Sequence, residues 1–88
     1  MKLILAILRA DAVDPVSRTL IDQKYAVTKI SSVGGFMRHG NTTLVIGVDD
    51  GKVQEVMDTI HSACGELHPN EAHAATIFVL NAAQYIQI

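Results

Sequence analysis

The sequence predicts an α+β domain of the ferredoxin-like type, with the order strand, helix, strand, strand, helix, strand. Two observations support this prediction. Short apolar and β-branched runs are interrupted by two segments whose apolar residues recur at helical spacing. The chain has 88 residues, which suits one domain and not two. We therefore expect residues 1–88 to form a single domain with an antiparallel sheet.

The first strand and the first helix occupy the N-terminal quarter of the chain. Residues 3–8 form a continuous apolar run without Gly or Pro, typical of a central strand covered on both faces. The helix is expected to begin with Asp14 as its N-cap and Pro15 at its first position, and to end near Gln23. Its apolar stripe is predicted to contain Val16, Leu20 and Ile21.

Two further strands are predicted on either side of a glycine-rich segment. Residues 26–33 are rich in β-branched residues with partial alternation, and residues 41–48 form a third strand. Between them, residues 34–40 contain three glycines that interrupt the strand pattern. This segment is therefore predicted to connect the second strand to the third.

A second helix and a fourth strand complete the order. Asp49 and Asp50 precede the helix and are expected to cap it, and Gly65 is expected to end it in a left-handed conformation. A polar loop over residues 66–73 then leads to a strand over residues 74–80. The apolar positions at helical spacing are Val53, Val56, Met57, Ile60 and Cys64.

The composition is rich in apolar residues for so small a domain. Apolar residues make up 49% of the chain and charged residues 18%, whereas soluble domains average roughly 25% charged. In a ferredoxin-like subunit the helices cover only one face of the sheet. The apolar excess therefore predicts that the other face packs against further subunits.

Charge, cysteine content and the N-terminal run exclude several classes of protein. A net charge of −2 argues against a nucleic-acid clamp or a polybasic membrane anchor. The single cysteine excludes an internal disulfide. The first apolar run has six residues before Arg9, far below the roughly 20 residues of a membrane span. We expect a cytoplasmic protein without membrane insertion.

The glycine-rich segment is the first candidate binding site. Its glycines allow the backbone to approach a ligand closely, Phe36 can stack on a ring, and Arg38 can meet a phosphate. A P-loop is excluded because the Lys-Ser/Thr pair is missing and a strand follows. A plain hairpin connection is the alternative, and it is the one that the local sequence favours.

A histidine and cysteine cluster is the second candidate. His61, Cys64, His68 and His73 place four nitrogen and sulfur donors within 13 residues, which resembles a zinc set. Cys64 lies on the apolar stripe of the second helix, where a free cysteine behaves as a small buried hydrophobe. No metal site is assigned, and a metal-binding module is kept as the less favoured alternative.

Acidic residues form the third candidate. Asp49 and Asp50, with Glu55 and Asp58 on the helix, could serve as an acid–base pair or a Mg²⁺ site. Capping of a helix N-terminus explains the aspartate pair better. Because no nucleophile, base and orienting residue form a set, we predict no catalytic residues and no enzymatic activity.

The chain resembles the bacterial PII-like cyclic di-AMP receptor proteins. The resemblance is carried by residues 1–4, Thr28-Lys29, the GGFM run at 34–37, the GNTT run at 40–43, and residues 75–79. It implies ferredoxin-like subunits that form a homotrimer, with cyclic di-AMP as the ligand in clefts between subunits and a regulated protein partner. The positions that match ligand-contacting positions of the family are Thr28, Gly35, Phe36, Met37, Asn41, Gly47 and Gln87.

Two departures from the family pattern define an alternative. Ala26 stands where family members often carry a basic residue, and about a dozen residues replace a long insertion before the last strand. The alternative is a PII-like trimer that binds a different nucleotide or anion, or that acts only through protein partners. No cofactor other than the nucleotide ligand is expected.

Overall fold

A computed structural model of the protein describes residues 1–30, 42–67, 75–84, 86 and 88. Their elements follow the predicted order, so the ferredoxin-like α+β fold is confirmed. Predicted strand residues 31–33, 41 and 74 lie outside the described residues. The elements are β1 (Lys2–Leu8), α1 (Ala10–Asp22), β2 (Ala26–Ile30), β3 (Thr42–Val48), a 3-10 turn (Asp50–Lys52), α2 (Val53–Leu67) and β4 (Ala75–Asn81).

The four strands form one antiparallel sheet in the order β2–β3–β1–β4. Strand β1 lies in the interior, with Leu5 opposite Val45 of β3 on one side and Phe78 of β4 on the other. Strand β2 forms an edge beyond β3, and there Ala26 lies opposite Gly47. The interior position of β1 agrees with its continuous apolar sequence.

The core lies between one face of the sheet and the two helices. Burial alternates along β1 and β3, because successive side chains of a strand point to opposite faces. Ile21 does not join the apolar stripe of α1, because its side chain is 56% exposed. The buried apolar residues are Ile4, Ala6, Leu8, Ala12, Val13, Val16, Leu20, Leu44, Ile46, Val48, Val56, Ile60 and Cys64.

Helix α1 begins five residues earlier than the sequence predicts. It starts at Ala10, so Asp14 is not its N-cap and Pro15 lies inside the helix. Ala12 and Val13 are buried in the core, and this burial stabilises the additional turn. Pro15 is the sixth residue of this helix and has no backbone N–H, so it removes one helical hydrogen bond, and the packing of α1 offsets that cost.

Helix α2 differs from the prediction at both ends. Asp49 occupies the N-cap position of the 3-10 turn, but its side chain makes no capping hydrogen bond. The helix continues through Gly65 to Leu67, so Gly65 does not end it. A glycine inside a helix costs only about 1 kcal/mol, and the helix-favouring Glu66 and Leu67 follow it. Among the described residues, no helix is long and apolar enough to cross a membrane.

Candidate functional site

The sheet face opposite the helices is uncovered and apolar. Ile4 and Ala6 point towards the helices, so Leu5 points to the opposite face, where its neighbours are Val45 and Phe78. Phe78 is 52% exposed. We call this surface the open face. By strand register, its residues are Leu3, Leu5, Ile7, Ala26, Thr28, Ile30, Thr43, Val45, Gly47, Thr76, Phe78 and Leu80.

Two of the seven predicted ligand residues are described by the structure, and both lie on the open face. Thr28 lies opposite Val45, and Gly47 lies two residues further along β3. Diagonal neighbours of this kind in an antiparallel pair are roughly 7–8 Å apart. A single nucleotide moiety can therefore contact the hydroxyl of Thr28 and the bare backbone of Gly47 together.

The other five predicted ligand residues lie outside the described residues and remain predictions. They are Gly35, Phe36, Met37, Asn41 and Gln87. The strands that flank the glycine-rich segment are nevertheless placed. Ile30, the last residue of β2, lies opposite Thr43 of β3. The end of β2 and the start of β3 therefore lie side by side at one end of the sheet, two residues along β2 from Thr28.

A cleft of about 360 Å³ lies at the opposite end of β2 and β3. Ala26 and Gly47 belong both to the cleft and to the open face, and they are cross-strand partners. Because one has a small side chain and the other has none, the cleft opens onto the open face there. Ligand pockets begin at roughly 300 Å³, so this cleft suits part of a nucleotide. Its walls are Met1, Gln23, Lys24, Tyr25, Ala26, Gly47, Val48, Asp49, Lys52 and Glu55.

Several charged groups near this cleft already have partners. The ammonium of Met1 lies 3.0 Å from Oδ1 of Asp50, and its hydrogen bond and charge lower the pKa of that carboxyl. Lys52 Nζ lies 3.7 Å from Oε2 of Glu55. Burial, followed by a hydrogen bond with Glu55, raises the pKa of the Tyr25 hydroxyl. Two cationic groups at the cleft, the Met1 ammonium and Lys52, therefore already have carboxylate partners.

A second groove, of about 380 Å³, lies on the helix side of the subunit. It runs between α1 and α2 and includes Thr19, Ser62 and the carboxylates of Asp58 and Glu66. No cation lines it. The described residues that line it carry only negative charge and include neither Thr28 nor Gly47, so this groove suits an anionic nucleotide less well than the cleft at Gly47.

Among the described residues, the structure does not bring the predicted histidine and cysteine ligands together. Cys64 is only 3% exposed in the core, whereas His61 on the same helix is exposed. Burial raises the pKa of the Cys64 thiol and so disfavours the thiolate that binds metals. His68 and His73 lie outside the described residues. Within the described ranges, no group of three or more His, Cys, Asp or Glu could hold a metal ion.

The acidic candidates make structural contacts instead. Asp50 pairs with the N-terminal ammonium, and Glu55 pairs with Lys52. Asp58 Oδ1 accepts a hydrogen bond of 2.8 Å from Nε2 of Gln54 on the same helix. Three of the four carboxylates therefore have roles that need no substrate.

Sequence reasoning missed Lys24 and Tyr25 as residues of the cleft. They follow the end of α1 and reach Gly47 only through the pairing of β2 with β3. No local motif marks them. The one available signal was their position immediately before Ala26, at the start of a predicted strand.

Comparison with known proteins gives two findings. A model of a family described as "Cyclic-di-AMP receptor" matches residues 1–72. A crystal structure of a functionally unknown protein from Pediococcus pentosaceus ATCC 25745 is similar in fold, with a TM-score of 0.82 and 31% sequence identity. That match covers 99% of this chain and 96% of the other, so the two correspond almost from end to end.

Proposed function

This chain belongs to the cyclic-di-AMP receptor family, and from that premise we propose that it binds cyclic di-AMP between the subunits of a homotrimer and thereby regulates a protein partner. The observation that carries the proposal is the position of Thr28 and Gly47. Both lie on the open face, diagonally opposed on neighbouring strands. A ligand held there would lie where a second subunit would pack.

The chemistry of the open face supports the assembly. None of its residues on the four strands carries a charge, and seven of the twelve have large aliphatic or aromatic side chains. Monomeric soluble proteins rarely expose a contiguous apolar patch of this kind. A closed ring of identical subunits buries the same face of every copy. The open face thus favours a symmetric oligomer over a monomer.

The proposed binding mode requires no catalytic step. The Thr28 hydroxyl can donate a hydrogen bond to a base or phosphate oxygen, and Gly47 allows the ligand to approach the backbone. A ligand that contacts two subunits stabilises their association through mass action. Ligand binding would then change the conformation of the segments beside the cleft, and the protein partner would respond to that change.

A second candidate function keeps the trimer and changes the ligand. Its support is the short connection between α2, which ends at Leu67, and β4, which begins at Ala75. A short connection and an uncharged Ala26 offer fewer contacts to a large dinucleotide. The ligand would then be a smaller nucleotide or an anion, or the protein would act through protein partners alone.

Isothermal titration calorimetry with cyclic di-AMP tests the proposal. We expect saturable binding at one dinucleotide per subunit. Thr28→Ala should weaken it roughly tenfold, because one hydrogen bond to a charged or polar group contributes about 1.5 kcal/mol. Thr19→Ala is the matched control, since Thr19 lies on α1 and donates its hydroxyl to the Pro15 carbonyl; its binding should equal that of the wild type.

The same titration separates the two candidate functions. Absence of heat from the wild type at high micromolar cyclic di-AMP would reject the dinucleotide. A thermal-shift screen of mononucleotides and inorganic anions would then test the second candidate, because a ligand at 100 times its Kd adds about 2.7 kcal/mol of stability.

A further inference from the structure

Helix α1 ends in a turn whose backbone hydrogen bonds define a Schellman motif. The N–H of Tyr25 donates to the carbonyl of Leu20 at 3.0 Å, and the N–H of Lys24 donates to the carbonyl of Ile21 at 2.9 Å. This pattern places Lys24 at the position after the C-cap, where the chain turns left-handed. Its φ is accordingly 74°.

A lysine at this position is costly to the fold. Glycine is the usual residue there, because a residue with a Cβ is sterically disfavoured in the left-handed region. Lys24 is the one non-glycine residue with positive φ among the described residues. Backbone strain of this kind is a reason to look for a function of the side chain.

The left-handed turn places Lys24 in the wall of the cleft that contains Gly47. It lies there beside Ala26, whose methyl group brings no charge and leaves space. The cleft therefore combines a predicted ligand position, an uncharged opening towards the open face, and a lysine. Phosphate is a strong acceptor for an ammonium group, and lysine acts on it as a point charge.

The other charges of the cleft distinguish Lys24 from its neighbours. Lys52 is engaged by Glu55, and the Met1 ammonium by Asp50. The Lys24 ammonium has no ion pair in the part of the chain that the structure describes. Asp49 also lines the cleft, and its carboxylate would repel an anion. A phosphate would therefore bind favourably only at a position closer to the Lys24 ammonium than to this carboxylate.

We infer that Lys24 contributes the positive charge that a phosphate of the bound dinucleotide meets at this end of the cleft. This inference rests on the proposed function and adds a specificity-determining residue to it. The strained position places this cation among the residues that line the cleft with Gly47. The same residue therefore acts in opposite directions on stability and on binding.

Lys24→Gly tests this opposition. Removal of the left-handed strain should raise the thermal midpoint of the ligand-free protein by several degrees, since about 1 kcal/mol corresponds to roughly 4–8 °C in a domain of this size. Removal of the charge should weaken cyclic di-AMP binding at least about tenfold and reduce its dependence on salt concentration. Lys24→Arg should retain most of the affinity.

The matched control is Lys52→Gln, a loss of one positive charge in the same cleft. Because Lys52 is held by Glu55, this change should weaken binding much less than Lys24→Gly. Equal losses in the two variants would contradict the inference, because they would indicate a general effect of net charge.

The remaining outcomes separate the inference from the proposed function. Wild-type binding together with undiminished binding by Lys24→Gly would overturn the inference alone. Weaker binding by a Lys24→Gly protein that is also less stable would overturn it as well, since damage to the turn would account for the loss. No binding of cyclic di-AMP by the wild type would overturn both.

Discussion

A glutamate at position 5 should prevent the subunits from associating while each subunit remains folded. Leu5 lies in the middle of β1 on the open face, between Val45 and Phe78. Within one subunit it is only half-buried, because the helices cover the opposite face. The carboxylate of Leu5→Glu would therefore remain in water in a monomer and would be buried among apolar side chains in a trimer.

The size of the effect follows from this geometry. Burial of an unpaired carboxylate costs several kcal/mol. At about 3 kcal/mol per copy, three copies weaken a trimer by about 9 kcal/mol, and at 1.4 kcal/mol per factor of ten this is roughly six orders of magnitude in the association constant. Association at micromolar concentration should therefore be lost.

Sedimentation velocity, with circular dichroism to confirm folding, measures the result. We expect a trimer for the wild type and a folded monomer for Leu5→Glu. The matched control is Ile21→Glu, which places the same charge at an exposed apolar position on α1, in the helix layer. It should remain trimeric. A Leu5→Glu protein that assembles as the wild type does would refute the reasoning.

Three further predictions concern the core, the thiol and the N-terminus. Ile46→Ala should lower the free energy of unfolding by about 2–5 kcal/mol, because Ile46 is fully buried under the helices. A decrease below about 1 kcal/mol, measured by urea unfolding, would contradict the burial of Ile46 in the core. Burial raises the pKa of the Cys64 thiol, so iodoacetamide should modify it far more slowly in the native protein than in urea, and equal rates would contradict that burial. The Met1 ammonium lowers the pKa of the Asp50 carboxyl in the folded protein. This ion pair therefore stabilises the fold at pH values above the carboxyl's pKa in the unfolded chain, and the stabilisation is lost as the pH falls through its lower pKa in the folded protein. N-terminal acetylation should raise the pKa of Asp50 in an NMR titration, and an unchanged pKa would argue against the ion pair.

The sheet could be predicted from the sequence because its signals are local. The apolar run of β1 and the β-branched residues of β2 and β3 appear directly in the chain, and period-two burial follows from strand geometry. The helix ends could not be predicted as well. The first turn of α1 depends on the burial of Ala12 and Val13 against the sheet, which only the packed structure shows.

The candidate site was predictable in part. The resemblance to a known family indicated Thr28 and Gly47, and strand register then placed them on one face. The cleft beside them was not predictable, because it depends on the turn at Lys24 and on the pairing of Ala26 with Gly47. The pairing of Ala26 with Gly47 joins residues 21 positions apart, so no local pattern reveals it.

A crystal structure of the protein with cyclic di-AMP would test the central proposal most directly. We expect three subunits packed through their open faces, with density for one dinucleotide in each cleft between subunits, in contact with Thr28 and Gly47. Density only in the groove between α1 and α2, or subunits whose open faces remain in solvent, would contradict the account.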